Sequence, residues 1–402
     1  MATLHEPSAV SERPVVPEEP LPEVRSSPLP ADTSSGLGAE TGPTPRLWFA
    51  DNLRILCTCI VVLHHVTAMY SGLPFWYYNE KPTNAAVGTG FEIFILFDQA
   101  WLMGAFFVLA GYFTPGSYDR KGPRSFLRDR LVRLGIPLVV FYYLLNPLLC
   151  LPAHLGRPLL EDYPGTTGPG PLWFAFTLLV LDVSYAAVRV VVGTRTTGLC
   201  LSRPLTRRST IVFAVGLAFA TYLWRIPVPI GYRIPVLDVP SSHYIPQYVS
   251  FFVLGIVAFR RDWFRTVPAW TGRAGLGMAV AATAVFLPLA VADGFDPCRG
   301  AGTLGSLLFA LWDSFFAVGT VLAVFTLFRR RFDTTGRRRR YLSAHAFTVY
   351  VIHAFVVTGA GYLLSGLHIP TLIKMSVAAL AVPVSYLLAG PVRRIPGVRR
   401  VL

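Results

Sequence analysis

Apolar runs of roughly 18–24 residues recur along most of this chain, and about 20 apolar residues are what a helix needs to cross a hydrocarbon core about 30 Å thick. They fall near 53–71, 92–113, 131–151, 171–192, 208–224, 243–259, 270–292, 305–328, 344–364 and 369–391. Only helices and closed strand barrels satisfy every backbone polar group inside lipid. Barrel strands alternate apolar and polar positions over short segments, and these runs are long and continuously apolar. The expected fold is therefore an all-α, polytopic membrane helical bundle with about ten transmembrane helices. Composition agrees: 14% of the 402 residues are charged, against about 25% in soluble domains.

The net charge of +14 suggests nucleic acid until its placement is read. With the amino terminus cytoplasmic, the loops after spans two, four, six and eight and the carboxyl tail, with a few flanking positions, hold 26 of the 36 Lys and Arg residues. The opposite loops hold Lys81, Arg157, Arg225, Arg233 and Arg299. This asymmetry follows the positive-inside rule and places both termini in the cytoplasm of a multi-pass protein of the plasma membrane. The basic balance is a topology signal, with some attraction to anionic lipid. The bilayer is the expected partner, and nucleic acid is not.

Residues 1–45 contain nine prolines and almost no aromatics. Such a segment cannot bury a core and is expected to be a disordered cytoplasmic leader. It holds no apolar stretch for a cleavable signal, so the first span must direct insertion. Residues 46–402 then form one transmembrane domain. The cysteines Cys57, Cys59, Cys150, Cys200 and Cys298 show no disulfide framework and no metal-ligand spacing, and no metal is expected.

Ionisable residues inside the spans are where chemistry is sought, because a charge at the membrane centre costs about 2.5–3.5 kcal/mol on insertion scales. Arg54 and His65 are eleven residues apart in the first run. Eleven helical steps return to within about 20° of the same face, about 16 Å along the axis. The stripe Arg54, Thr58, Val61, His65, Ala68 is small or polar and suits a cavity wall. His64 points about 100° away from it, so His65 is favoured as the chemical residue. Asp98 in span two and Asp313 in span eight lie at a depth similar to His65. Either carboxylate would hold one imidazole nitrogen protonated and leave the other as a base.

Arg130 and Arg133 open span three on one helical face. Positive-inside anchoring explains them in isolation. Together with Arg54 they can also act as an anion clamp, because guanidinium forks match phosphate oxygens. The run Phe75-Trp76-Tyr77-Tyr78 in the first outer loop reads as a headgroup aromatic belt or as a stacking platform for a sugar. Trp173 opens span four, and Tyr350 and His353 are candidates to line the interior of span nine. Asp182 is expected to pair with a helix partner, and Lys374 to snorkel. Walker, dinucleotide, zinc-helix and nucleophile-elbow motifs are absent.

Five ordered blocks resemble the integral-membrane acyltransferase family 3. They are Asp51-Asn52-Leu53-Arg54 with His65, Phe106–Phe113, Arg130-Leu131-Val132-Arg133 leading to Ile136-Pro137, Pro171-Leu172-Trp173-Phe174, and Tyr350-Val351-Ile352-His353. The second block departs from the family in carrying Ala110 where serine usually precedes the glycine. The shape of the second and third blocks and the acidic, aromatic first outer loop look most like the glucan-biosynthesis protein C subgroup.

The resemblance implies an O-acyltransferase moving an acetyl or succinyl group from cytosolic acyl-CoA to a hydroxyl of an extracytoplasmic carbohydrate or glycoconjugate. On this reading His65 is the general base with Asp98 or Asp313 as partner. Arg54, Arg130 and Arg133 hold the donor phosphates, and Trp76, Trp173, Tyr350 and His353 meet the acceptor. The competing class is a secondary transporter, for which intramembrane His, Asp and Arg would carry substrate or protons. No internal repeat favours it.

Overall fold

In the computed structural model, which describes residues 46–154, 159–193, 205–234, 239–293 and 302–402, every regular element is helical. The expected leader, residues 1–45, lies outside the described residues, as do Cys200, Cys298, Arg157 and Arg299. The long helices are α1 (Trp48–Tyr70), α2 (Ala85–Arg130), a helical rod α3 over 131–154, α4 (Trp173–Val192) and α5 (Arg207–Trp224). They continue with α6 (Ile245–Arg260), α7 (Trp270–Ala292), α8 (Leu304–Arg331), α9 (Arg337–Leu364), α10 (Thr371–Ala378) and α11 (Ala381–Arg394). Side chains fix several starts. Asn84 Oδ1 accepts from Ala86 N at 2.7 Å to cap α2, and Thr206 and Ser209 form a reciprocal capping box on α5.

Eight helical stretches among the described residues are long and apolar enough to cross a bilayer. The difference from ten has two sources. α5 has only 18 residues and carries Arg207 and Arg208 in its first turn. The second and third expected spans fall inside one stretch, Ala85–His154. That stretch is not straight. Thr114 Oγ1 donates to Asp182 Oδ1 at 2.9 Å, and Arg130 Nε meets Asp182 Oδ2 at 3.0 Å. Sixteen residues of straight helix would separate Thr114 and Arg130 by about 24 Å. The chain instead doubles back at Gly122-Pro123, where Gly122 adopts φ +73°. Large apolar side chains such as Val191 and Leu363, 85% and 83% exposed, cover the outer faces. Such exposed apolar surface suits lipid and not water.

Two local features hold the bundle in register. A Cβ on Gly111 would strike the Phe252 carbonyl oxygen, and one on Gly255 would strike that of Val108. The α2 and α6 backbones are therefore in direct contact, as small residues permit between membrane helices. In α3, π turns at Leu131–Gly135 and Phe141–Leu145 are followed at once by Pro137 and Pro147. Each proline lacks an N–H and crowds the carbonyl four residues before it. The widened turn absorbs that conflict.

The loop over 71–84 is fastened at both sides. Glu80 Oε1 accepts from Lys374 Nζ at 2.7 Å and Oε2 accepts from Tyr78 Oη at 2.8 Å. Thr83 N donates to Thr371 Oγ1 at 2.9 Å. Burial and the Glu80 carboxylate push the Tyr78 hydroxyl above its ordinary range, which keeps it a donor. Lys374 thus does not snorkel; it is buried because a carboxylate from this loop neutralises it. On the other side Tyr77 Oη donates to Asn146 Oδ1, and Asn146 Nδ2 donates to Thr166 O at 2.6 Å. Gly170, at φ +45°, sits against Tyr77, Phe141 and Asn146, where any Cβ would collide.

Candidate functional site

α1 carries the centre of the site. The His65 ring lies 3.9 Å from the Trp76 ring at an interplanar angle of 23°, and 5.2 Å from His353 at 22°. It faces protein and not lipid. Hydrogen bonds among the described residues hold neither of its nitrogens, and the residue is only half-buried. His64 meets it edge-on, with centroids 5.1 Å apart at 87°.

Asp98, expected to serve His65, meets His64 instead. Both carboxylate oxygens accept from His64 Nδ1, at 3.0 and 2.9 Å. The physical reason is the 100° step between adjacent helical residues: α2 packs on the His64 flank, while the loop and α9 pack on the His65 flank. The carboxylate fixes the His64 tautomer with Nδ1 protonated and leaves Nε2 basic. In His353, Nδ1 donates to the Tyr350 carbonyl at 2.7 Å. Its Nε2 is then an unprotonated acceptor; it is buried without a hydrogen-bond partner, and so is the indole N–H donor of Trp76.

Asp313 does not reach the histidines either. It is ion-paired with Arg225, their side chains only 1% and 2% exposed. The Arg225 guanidinium also lies 5.1 Å from the Tyr244 ring and 5.4 Å from the Phe309 ring. Arg225, read from the sequence as a loop residue, is the C-cap of α5. A buried acid takes the cation that burial brings closest, and sequence depth carries no information about helix azimuth.

The arginines sit one long stripe away, about 16 Å from His65 along α1. Arg54 Nη1 donates to Asp51 Oδ1 at 3.1 Å, and its guanidinium lies 5.9 Å from the Phe113 ring. Arg130 pairs with the Asp182 carboxylate, whose other oxygen binds Thr114. Arg54 and Arg130 therefore both lie at the level of Phe113 and Thr114 on α2. Arg133 follows within the first π turn of α3 and is exposed. Asp182, expected to pair with a helix partner, has Arg130 as that partner. Asp182 meets Arg130 at Nε.

Of the remaining residues, Trp76 is half-buried and stacks on His65. Trp173 is buried, its ring 5.3 Å from the Tyr248 ring. Tyr350 Oη donates to the Pro171 carbonyl, which ties α9 to the start of α4. His353 joins the His65 cluster. His64 and Arg225 are the polar residues that sequence reasoning did not bring to the centre. A strand of evidence for the first was present, since Asp98 had two adjacent histidines to choose from.

A family model described as an acyltransferase domain matches residues 47–390. The chain is similar to proteins named Glucans biosynthesis protein C from Salmonella schwarzengrund (strain CVM19633) and Salmonella agona (strain SL483). Each is 26% identical over 336 residues, covering 77% of this chain and 82% of the relative.

Proposed function

The chain belongs to the acyltransferase 3 family and is a multi-pass membrane O-acyltransferase, and from that premise we propose that His65 is its general base. The acceptor is a carbohydrate or glycoconjugate hydroxyl outside the cytoplasm. The donor is acetyl- or succinyl-CoA from the cytosol, its phosphates held by Arg54, Arg130 and Arg133. The chain crosses the plasma membrane about ten times with both termini in the cytoplasm.

One observation carries this reading. His65 faces the interior against Trp76 and His353 with neither nitrogen engaged by the protein. A ring held by stacking and left without hydrogen bonds is oriented yet able to take a proton. As the acceptor oxygen forms its bond to the thioester carbon, His65 takes the hydroxyl proton. The carbon–sulfur bond then breaks, and that proton leaves on the coenzyme A thiol. His64, fixed by Asp98, sets the edge against which the His65 face rests, and it is a positioning residue. Trp76 excludes water from the base and shapes the acceptor side.

The arginine cluster supports a donor site at the opposite end of the same stripe. Arg133 is exposed and Arg130 meets Asp182 through Nε, and a guanidinium has further N–H donors for phosphate oxygens. The extended pantetheine arm of the donor would span the distance of about 16 Å to His65.

The test is thiol release by the purified chain in proteoliposomes. Acetyl- or succinyl-CoA should yield free coenzyme A only when a glucan acceptor is present. No acceptor-dependent release with either donor would defeat the reading. Mass spectrometry of the glycans of a deletion strain should show the loss of one acyl increment.

A further inference from the structure

Two elongated cavities lie apart from the histidine cluster, at the end of the bundle where α1 and α5 begin and α6 and α8 end. The first, of about 220 Å³, is walled by Phe213, Phe251, Leu254 and Val318 and reaches Arg329. The second, of about 390 Å³, lies between α5, α7 and α8, with Arg207 and Trp270 at one end and Phe286 at the other. Thr210 and Leu322 line both, so one thin wall separates them. An apolar cavity of about 150 Å³ already holds a benzene-sized guest.

The depth of the first cavity matches half a membrane. Along α8 the first cavity extends from Arg329 to Val318, eleven residues or about 16 Å. One leaflet of a bilayer core about 30 Å thick is about 15 Å deep. The walls are almost wholly apolar, and the rim is cationic. Arg329 is fixed by its bond to the Val267 carbonyl at 2.5 Å, and Arg207 lies 5.2 Å from the Trp270 ring. Arg208 and Arg330 stand exposed beside them. The nearby acids are engaged elsewhere: Asp333 accepts from Phe49 N at 2.9 Å, and Asp262 faces Arg265 at 3.9 Å.

We propose that this paired groove is a binding site for an anionic glycerophospholipid, with one acyl chain in each cavity and the headgroup phosphate on Arg207 and Arg329. Apolar walls one leaflet deep select acyl chains, and the guanidinium rim selects a negative headgroup over a zwitterionic one. Thr210 and Leu322 form the ridge that the glycerol backbone straddles. The site is distinct from the acyl-donor arginines, and it holds whether or not His65 is the base.

Native mass spectrometry of the full chain, reconstituted in nanodiscs of phosphatidylglycerol and phosphatidylcholine and then released, tests this. About one phosphatidylglycerol per chain should be retained, with roughly tenfold preference over phosphatidylcholine. The exposed Arg207→Gln variant should lose the headgroup preference, and the double variant with Arg329→Gln should lose it further. Ala258→Phe, which fills the first cavity, should lower retention of both lipids. Equal retention of the two lipids, indifference to Arg207→Gln, or no retained lipid would each overturn the proposal. So would displacement of the lipid by acyl-CoA, which would assign the cavities to the donor.

Discussion

Replacing His65, His64 and Asp98 in turn should give a defined order of losses. His65→Ala removes the group that takes the acceptor proton. General-base catalysis contributes about 10²–10⁴ in rate, equivalent to about 2.7–5.5 kcal/mol of barrier. Asp98→Asn keeps the shape of the side chain and a carbonyl oxygen near His64 Nδ1, where two carboxylate oxygens now sit at 3.0 and 2.9 Å. It exchanges a charge-assisted hydrogen bond for a neutral one, a difference of about 1–1.5 kcal/mol. Because His64 acts on His65 only through ring contact, that loss appears as about a five- to tenfold fall in kcat. His64→Gln should behave like Asp98→Asn. The assay is thiol release in proteoliposomes at saturating donor and acceptor, with each variant first shown to be inserted and monodisperse. If His64→Gln lost more than His65→Ala, or His65→Ala kept wild-type kcat, the base would be the Asp98-bound imidazole and the assignment would be refuted.

Two of the three proposed donor arginines should separate kinetically. Arg133→Gln should raise KM for acyl-CoA and leave thermal stability unchanged, because Arg133 is exposed. Arg130→Gln should raise KM and also lower the unfolding midpoint, because it strands the buried Asp182. Removing one partner of the Arg225–Asp313 pair should cost about 3–5 kcal/mol, whereas Arg225→Met with Asp313→Leu should recover most of it, read as thermal midpoints in detergent. Gly111→Ala should cost about 1–3 kcal/mol by forcing α2 from α6, and a midpoint within error of wild type would contradict the close contact.

The helices were legible because their cause is local: an apolar run of sufficient length has few other structures available in lipid. The reversal between the second and third runs was visible as a basic stretch, and the structure puts its turn at Gly122. The Arg54–His65 stripe followed from helical period alone, and the structure does turn His65 inward. Partner choice was not legible. Asp98 and Asp313 were placed at a plausible depth, but only packing decides that one meets His64 and the other Arg225. Lys374 looked like an isolated cation near a helix end because Glu80, almost 300 positions earlier, gives no local sign that it will fold onto it. Trp76 was seen as aromatic surface, and its contact with His65 depends on a loop whose anchors, Asn146 and Thr371, lie 69 and 288 positions from their partners.

The fastening of loop 71–84 to Lys374 and Thr371 sets an order of assembly. That loop emerges early in synthesis, whereas its clasp arrives only with α10, after α1 to α9 have been made. Until then the cover over the α1 imidazole is held through Tyr77 and Asn146 and lacks its second fastening, so a nascent chain stalled before α10 carries the histidines under a half-secured loop. Maturation of the enzyme is thereby tied to insertion of one of its last helices.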